Sequence, residues 1–240
     1  MASLVWISGA SSGIGEALAR TVPDTDARII GISRRAPDAI EHLHADLADS
    51  ASWAEVGASF TAELAGFDGD RVVFVHAAGT IEPLGFAGEV DTDAYTSNVV
   101  LNSAAPQVLG HLFLAAVHDV EAKGHLIMLS SGAASSVYAG WSSYGAGKAA
   151  IDQWVRDVGA EQARRGGSQV LSVAPGTVDT AMQAHLRATD EDDFPQRQKF
   201  LDLHRNQALS DPLDVATRIW ALLDRDLDNG SVVDLRKLDS

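Results

Sequence analysis

The chain has 240 residues, 46% of them hydrophobic, enough for one large core and too few for two domains of usual size. Its formal net charge of −15 repels polyanions, so we expect no nucleic-acid partner. The absence of cysteine excludes disulfides, thiolate catalysis and cysteine-ligated metal. No run approaches the roughly 20 apolar residues that span a bilayer, so we expect a cytoplasmic protein with no membrane partner.

Apolar runs alternate with helical patterns along the chain, an order typical of a doubly wound α/β fold with a parallel sheet. We predict a single domain over residues 1–240 with about seven strands. The predicted strands are 3–8, 28–33, 41–45, 71–76, 124–130, 168–174 and 231–234. The predicted helices are 13–22, 50–65, 92–117, 142–165 and 211–224.

One polar and charged stretch, Met182 to Ser210, breaks this alternation. Its acidic run at 190–193 lacks the turn glycine and the downstream glutamate of a calcium loop. We therefore predict a solvated surface loop there and no metal site.

A glycine-rich turn, SGASSGIG at 8–15, joins the first predicted strand to the first predicted helix. Glycines at positions 9, 13 and 15 let the backbone turn tightly and approach a pyrophosphate, whose charge would lie against the helix N-terminus. The spacing Gly-x-x-x-Gly-x-Gly differs from the Gly-x-Gly-x-x-Gly of many dinucleotide-binding folds. The turn predicts a dinucleotide phosphate site.

Two arginines follow the second predicted strand and indicate which dinucleotide binds. Enzymes that use NAD usually have an acidic residue there for the ribose hydroxyls, whereas an arginine accommodates the 2′-phosphate of NADP. Here Ser33 holds the acidic position, and Arg34 and Arg35 come next. Guanidinium groups bind phosphate through bidentate charge-assisted bonds. We predict NADP (NADPH) as cofactor; the alternative is a loop with two solvated arginines.

Small residues end the fourth predicted strand, at Ala77, Ala78 and Gly79, so that a ligand can lie against the backbone. His76 directly precedes them. A histidine that ends a buried strand is more often a structural hydrogen-bonding group than a catalytic base. We therefore assign proton transfer to a different residue.

Tyr144 and Lys148 lie one helical turn apart, on one face, where an ammonium can depress the pKa of a phenol. A free tyrosine titrates near about 10 and transfers protons poorly at neutral pH unless a cation stabilises its phenolate. A serine before the tyrosine would hold a substrate oxygen; the candidates are Ser130, Ser131, Ser135 and Ser136. Neither Ser130 nor Ser131 has the glycine-flanked elbow of a serine hydrolase.

Together these residues resemble the short-chain dehydrogenase/reductase family over nearly the whole chain. The signs, in the family's order, are SGASSGIG at 8–15, HAAG at 76–79, Asn102, Ser131, YGAGK at 144–148 and PGTVDT at 175–180. Residues 78–85 and 230–236 are most similar to the sepiapterin reductase and benzil reductase branch. His76 and Ala77 stand where the family usually has two asparagines.

The resemblance implies a Rossmann-like fold and four catalytic residues. Ser131, thirteen residues before the tyrosine, would hold the carbonyl oxygen, while Ser130 would be a strand-end residue with a local backbone bond. Tyr144 would give the proton, and Lys148 would bind the ribose and lower the tyrosine pKa. Asn102, rather than Asn98, would bend its helix locally and maintain a proton relay. The implied cofactor-binding residues are Gly9, Ser11, Ser12, Gly13, Ile14, Gly15, Ser33, Arg34, Arg35, Asp46, Leu47, Ala77, Ala78, Gly79, Tyr144, Lys148, Pro175, Gly176, Val178 and Thr180.

The resemblance also implies an activity: an NADPH-dependent carbonyl reductase that transfers hydride to a small ketone, diketone or pterin-side-chain carbonyl, with Tyr144 as general acid. Two alternatives are an NAD(P)-dependent alcohol dehydrogenase working in the oxidative direction and a non-enzymatic dinucleotide-binding sensor. Residues 182–210 would form a mobile lid over the substrate. The helices 92–117 and 142–165 would form the interface of a homodimer or homotetramer.

Overall fold

A sheet of seven parallel strands runs through the computed structural model, which describes residues 2–238. The strand order is β3-β2-β1-β4-β5-β6-β7. The strands are β1 (Ser3–Ser8), β2 (Arg28–Ser33), β3 (Glu41–His44), β4 (Arg71–His76), β5 (Lys123–Leu129), β6 (Gln169–Ala174) and β7 (Val232–Asp234). The predicted doubly wound sheet is confirmed, and every strand bound lies within one residue of its prediction.

Helices cover both faces of the sheet. Within residues 2–238 the α-helices are α1 (Gly13–Arg20), α2 (Trp53–Leu64), α3 (Thr92–Val99), α4 (Ala105–Ala116), α5 (Ser142–Arg165), α6 (Ala181–Ala188), α7 (Arg197–Arg205) and α8 (Pro212–Trp220). Two differences from the prediction matter for the site. The predicted helix 92–117 is interrupted by a turn of π-helix, Val100–Ala104, and the stretch 182–210 contains α7 and nearly all of α6.

The alternation of side chains along β1 shows how the two faces are filled. Leu4 and Trp6 pack toward α2, α4 and α5, whereas Val5 and Ile7 pack toward α1 and α8. On the first face the Trp6 ring meets the Phe60 ring edge-on, with 5.1 Å between their centroids. Both side chains are fully buried, and each such burial stabilises the fold by about 1.5–3 kcal/mol.

Contrary to the expectation that no run could span a bilayer, the helical stretch Thr92–Ala116 is long and apolar enough to do so by length and composition alone, and an 18-residue window of it has a mean hydropathy of 1.4. One such helix says little, because core helices of soluble proteins meet the same criterion. Here Ala105, Leu109 and Phe113 pack into the core on the sheet, and a third of the apolar window is buried.

The chain order reverses between β1 and β4, which lie side by side at the centre of the sheet. Because all strands are parallel, their carboxyl ends meet along one edge, and open α/β sheets bind ligands in the crevice at such a reversal. Ser8, His76 and Leu129 end three adjacent strands there. The motifs found in the sequence follow these strand ends and therefore lie along the same edge.

Candidate active site

The π-helical turn between α3 and α4 places Asn102 inside the protein. Its side-chain oxygen accepts a hydrogen bond from the Thr80 amide at 3.1 Å, and its nitrogen donates to the Thr80 carbonyl at 2.7 Å and to Asn98 Oδ1 at 2.9 Å. Asn98 in turn donates to the carbonyl of Glu82 at 2.6 Å. The two asparagines, treated as rivals in the sequence, thus form one buried network.

Pro106 contributes to this distortion. Proline has no amide hydrogen, so it cannot donate the usual helical bond to the carbonyl of Asn102 four residues earlier. The helix is therefore distorted at the position where the resemblance implied a local bend. Such π-helical turns are frequent at functional sites.

Two glycines allow the Asn102 turn, the end of β4 and α5 to meet. A Cβ atom on Gly147 would lie 2.9 Å from Asn102 Cβ, and one on Gly79 would lie 2.9 Å from Asn102 Oδ1 and 3.6 Å from Lys148 Nζ. Gly79 was predicted from the sequence as a site residue, and Gly147 was not. The sequence did contain an indication of Gly147, because it is a residue without a side chain between Tyr144 and Lys148 on α5.

Ser131, Tyr144 and Lys148 come together just beyond the end of β5. The Ser131 hydroxyl accepts from the Ala133 amide at 3.2 Å and lies near enough to the Tyr144 hydroxyl to lower the pKa of that phenol. Lys148 Nζ donates to the Leu129 carbonyl at 2.8 Å and lies 5.8 Å from the centroid of the Tyr144 ring. Tyr144 and Lys148 are both buried.

Burial controls the protonation of this pair. It raises the pKa of Tyr144, which the hydrogen bond with Ser131 lowers, and it lowers the pKa of Lys148 to about 8, against the opposing effect of Asp152. The expected depression of the Tyr144 pKa by Lys148 is therefore wrong for the protein alone, because desolvation dominates and the ammonium donates to the Leu129 carbonyl. Tyr144 is consequently protonated at neutral pH, as a general acid must be.

Asp152 is a neighbour that sequence analysis missed. It lies one turn after Lys148 on α5, is buried, and accepts a hydrogen bond from Ser172 at 2.6 Å. Its negative charge favours the charged form of Lys148. A signal was present in the sequence, since a carboxylate four residues after a lysine shares its helix face.

The four candidate serines differ in burial and in whether they line the cavity. Ser135 and Ser136 are exposed, whereas Ser130 is buried and lines the same cavity as Ser131. The expected local backbone bond of the Ser130 hydroxyl is wrong: this hydroxyl has no hydrogen-bond partner among the described residues. β5 ends one residue before it.

His76 has the structural role that we expected. Its Nδ1 lies 3.1 Å from the Ser8 hydroxyl oxygen, which accepts hydrogen bonds from the amides of Ala77 at 3.0 Å and Ala78 at 3.1 Å. Because that oxygen already accepts twice, its own proton is directed to the histidine. Burial, with a smaller effect from Lys148, lowers the pKa of His76 to about 3. The ring therefore stays neutral and ties the end of β1 to the end of β4.

The glycine-rich turn forms a tight cradle at the N-terminus of α1. A Cβ atom on Gly9 would lie 2.9 Å from the Ala78 amide nitrogen, and one on Gly15 would lie 2.2 Å from the Gly9 carbonyl oxygen. The N-cap residue Ser12 makes no side-chain capping bond, so the first amides of α1 are free to bind an anion. The cradle therefore fits the pyrophosphate of a dinucleotide.

The loop 175–180 meets this cradle, since the Thr180 Cγ2 atom lies 3.5 Å from a Cβ built on Gly13. On the other side of the glycine-rich turn, the end of β2 is followed by Arg34 and Arg35, the two arginines predicted to bind the 2′-phosphate. The Ser33 hydroxyl donates to the Arg35 carbonyl at 2.6 Å, and the Arg34 guanidinium, 75% exposed, lies 4.0 Å from the Asp46 carboxylate. Leu47 is buried nearby in the core.

A cavity of about 370 Å³ connects these groups. Of the residues selected from the sequence, it is lined by Ile14, Ala77, Gly79, Ser131, Tyr144, Lys148, Pro175, Gly176, Val178 and Thr180. Other lining residues had not been selected individually, although 182–210 was predicted to cover the substrate; those that are aromatic, cationic or thioether side chains are Tyr138, Trp141, Met182, Lys199, Phe200 and Arg236. Tyr138 and Trp141 lie between Ser131 and the start of α5, and their aromatic side chains were the available signal.

The segment with α6 and α7 closes one side of this cavity. Its two ends are joined, because the Asp179 amide donates to the Ser210 carbonyl at 3.0 Å and the Ser210 amide donates to the Thr177 carbonyl at 2.9 Å. Phe194 and Phe200 of this segment pack on Trp141, with centroid distances of 4.9 and 5.8 Å. The segment is thus a folded cover over the cavity whose two ends are hydrogen-bonded to each other. The acidic residues 190–193 lie exposed on its surface.

The chain matches the model of the short chain dehydrogenase family over residues 3–191, and it belongs to that family, as its motifs predicted. It is an oxidoreductase of a family that binds a nicotinamide dinucleotide. A benzil reductase that forms (S)-benzoin, from Bacillus subtilis, is 30% identical over 98% of both chains. Sepiapterin reductase from Bos taurus is 28% identical over 97% of this chain and 94% of its own. A crystal structure of a short chain dehydrogenase/reductase from Saccharomyces cerevisiae superposes with a TM-score of 0.85 at 23% identity, covering 99% and 97% of the two chains.

The neutral, buried His76 predicts a pH dependence of stability. The unfolded chain binds this proton near pH 6.5 and the folded protein only near pH 3, so stability falls as the pH drops below 6.5. Between pH 7.5 and 5.0 we expect His76 to account for a loss of about 2 kcal/mol. Urea unfolding of the wild type and of His76→Asn at both pH values measures this contribution.

The control for this comparison is His111→Asn, which removes an exposed histidine on α4. We expect it to lose as much stability as the wild type on acidification, while His76→Asn loses less. Equal losses in all three proteins would contradict the assigned burial effect.

Proposed function

We propose that the protein is an NADPH-dependent carbonyl reductase that acts on a small ketone, diketone or pterin-side-chain carbonyl. The observation that carries this proposal is that Ser131 and Tyr144 lie together on the wall of one cavity, which Tyr138, Trp141 and Phe200 also line. Similarity to proteins named benzil reductase and sepiapterin reductase, over nearly the whole chain, supports reduction as the direction.

In this proposal the nicotinamide cofactor supplies hydride to the carbonyl carbon when it is bound. Ser131, oriented by the Ala133 amide, donates a hydrogen bond to the carbonyl oxygen and stabilises its developing negative charge. The Tyr144 hydroxyl transfers its proton to the same oxygen. Lys148 then stabilises the phenolate that remains, and Asn102 keeps the surrounding backbone in position through Thr80.

The remaining cofactor contacts in this proposal are those that the family resemblance implies. The turn with Ser11, Ser12 and Ile14 would bind the phosphates with Thr180, and Lys148 would bind the ribose next to the nicotinamide. Pro175, Gly176 and Val178 would hold the nicotinamide, and Ala77, Ala78 and Gly79 would pack beneath the dinucleotide. Asp46 and Leu47 would contact the adenine, and Arg34 and Arg35 would bind the 2′-phosphate.

Two further features complete the proposal. Residues 182–210 would act as a mobile lid that pivots on the joined backbone at Thr177 and Ser210. The chain would form a homodimer or homotetramer through the outer faces of the helices at 92–117 and 142–165. Exposed valines on the first of these, Val99 at 42% and Val108 at 36%, support such an interface.

Tyr144→Phe tests the proton donor, because it keeps the ring and removes the hydroxyl. NADPH should still bind, while kcat for benzil reduction should fall by about 10²–10⁴-fold, the range that general acid catalysis supplies. The control, Tyr95→Phe, loses an exposed hydroxyl beside Ser142 and should turn over like the wild type. Near-normal turnover of Tyr144→Phe would refute this assignment.

The group expected to titrate near pH 8 is Lys148, not Tyr144. Above that pH the ammonium loses its proton and with it the charge that stabilises the Tyr144 phenolate, so kcat/KM for ketone reduction should decline. Phenolate absorbance, taken as wild type minus Tyr144→Phe in the protein without cofactor, should show Tyr144 protonated through pH 9. A phenolate signal between pH 7 and 8 would show that Lys148 does depress the tyrosine pKa.

Arg34→Ala tests the cofactor choice. A charge-assisted hydrogen bond contributes roughly 1.5–3 kcal/mol, so the variant should bind NADPH about ten- to a hundredfold more weakly and NADH almost unchanged. Titration of cofactor fluorescence gives both dissociation constants. The control Arg20→Ala removes an exposed arginine that pairs with Glu16, and should change neither dissociation constant. Equal losses for the two cofactors, or a wild type that prefers NADH, would overturn the NADP assignment.

A further inference from the structure

The cavity next to Ser131 and Tyr144 differs in charge from the protein as a whole. The chain has 33 acidic against 18 basic residues. Among the described residues, however, the cavity lining contains three cationic side chains, Lys148, Lys199 and Arg236, and no aspartate or glutamate. The cavity therefore favours a negatively charged group that the rest of the surface repels.

Two of the three cations already have other roles. Lys148 belongs to the Tyr144 pair, and the Arg236 guanidinium donates to both carboxylate oxygens of Asp234, at 2.9 and 2.7 Å. The Asp234 charge largely neutralises that arginine. Lys199 is therefore the lining cation whose charge is available to a ligand.

Lys199 is held against an aromatic wall. Its ammonium donates to the Tyr138 hydroxyl at 2.6 Å and lies 4.9 and 5.7 Å from the ring centroids of Tyr138 and Phe200. No carboxylate of the described chain lies within ion-pair distance of it. The rings fix the position of the charge without neutralising it.

A row of rings connects this lysine to the proton donor. Trp141 lies 4.9 Å from the Tyr144 ring and 5.4 Å from the Tyr138 ring, measured between centroids. Tyr144 thus stands at one end of this row of neighbouring rings, and Lys199 contacts Tyr138 at the other end. A flat aromatic body would fill the space between the two and stack on these rings.

We propose that the substrate is an aromatic ketone with a carboxylate on the side of the ring opposite its carbonyl group, and that Lys199 binds this carboxylate. The inference rests on the proposed reductase function, which places the carbonyl at Ser131 and Tyr144. A carboxylate would accept a charge-assisted hydrogen bond from the ammonium while the ring packs on Trp141. Lys199 thus selects the substrate and takes no part in the transfer of hydride or proton.

The test compares two probes of the same shape, para-acetylbenzoate and the neutral para-acetylbenzamide. Lys199→Met removes the charge and keeps a long apolar side chain against the rings, and Lys199→Arg keeps the charge. The control is Lys123→Met, which makes the same charge change at the amino end of β5, away from the cavity. Calorimetry gives the affinity of each probe for the protein without cofactor, and kcat/KM with NADPH gives its turnover.

The wild type should prefer the acid to the amide in both measurements. Lys199→Met should lose about tenfold for the acid and nothing for the amide, as expected for one charge-assisted hydrogen bond. Lys199→Arg and Lys123→Met should keep the preference. A wild type without the preference, or a Lys199→Met variant that weakens acid and amide equally, would overturn the inference.

Benzil, as a neutral reference, separates this inference from the proposed function. If benzil is reduced and the acid is not preferred, the carboxylate inference fails and the reductase proposal stands. If no ketone is reduced with NADPH, the reductase proposal fails. Calorimetry still decides whether Lys199 selects the carboxylate, because it needs neither cofactor nor turnover.

Discussion

The site depends on the close packing of three backbone segments: the end of β4, the π-helical turn and the first turns of α5. Asn102 holds the first two together by bonding both the amide and the carbonyl of Thr80. α5 can approach them only because residues 79 and 147 have no Cβ atom, since one at either position would lie 2.9 Å from Asn102. This contact fixes where the helix that carries Tyr144 and Lys148 starts relative to the sheet edge.

This packing buries Tyr144 and Lys148, and their burial determines their pKa values. Tyr144 and Lys148 both lie out of water, and desolvation shifts each toward its neutral form, so that one pKa rises and the other falls. At neutral pH the phenol therefore keeps its proton, and Lys148, with a pKa of about 8, is still mainly an ammonium. A buried ammonium whose pKa is about 8 also needs support, and Asp152 together with the Leu129 carbonyl provides it.

The sequence predicted the sheet closely and the covering segment poorly, for physical reasons. Buried parallel strands are nearly continuous apolar runs, and these ended within one residue of the observed strands. The helices α6 and α7 lie in a polar stretch, and each buries a single apolar residue, Leu186 or Phe200, so few apolar positions mark them in the sequence. The break between α3 and α4 was implied by the resemblance at Asn102, but its π-helical form was not predicted.

Within the site, the residue assignments came from the order and spacing of residues along the chain. Burial could not be predicted in this way. The relative positions of Ser131, Tyr144 and Lys148 follow from one helix and one strand end, so spacing placed them together. The direction of the Tyr144 pKa shift required knowing how much water surrounds the phenol. The contact of Lys199 with the cavity could not be predicted from the sequence either, because it depends on how α7 folds back over Tyr138.

The backbone bridge between Val178 and Ser210 has an evolutionary consequence. The chain segment from α6 to the end of α7 begins and ends at neighbouring positions, beside the loop that meets the glycine-rich turn. The entropy of closing such a loop changes only slowly with its length, so this segment tolerates insertion, deletion or exchange without moving the strands beneath it. The same reaction chemistry can therefore be given to different compounds by rewriting about thirty residues of chain, with the glycine-rich turn and α5 left as they are.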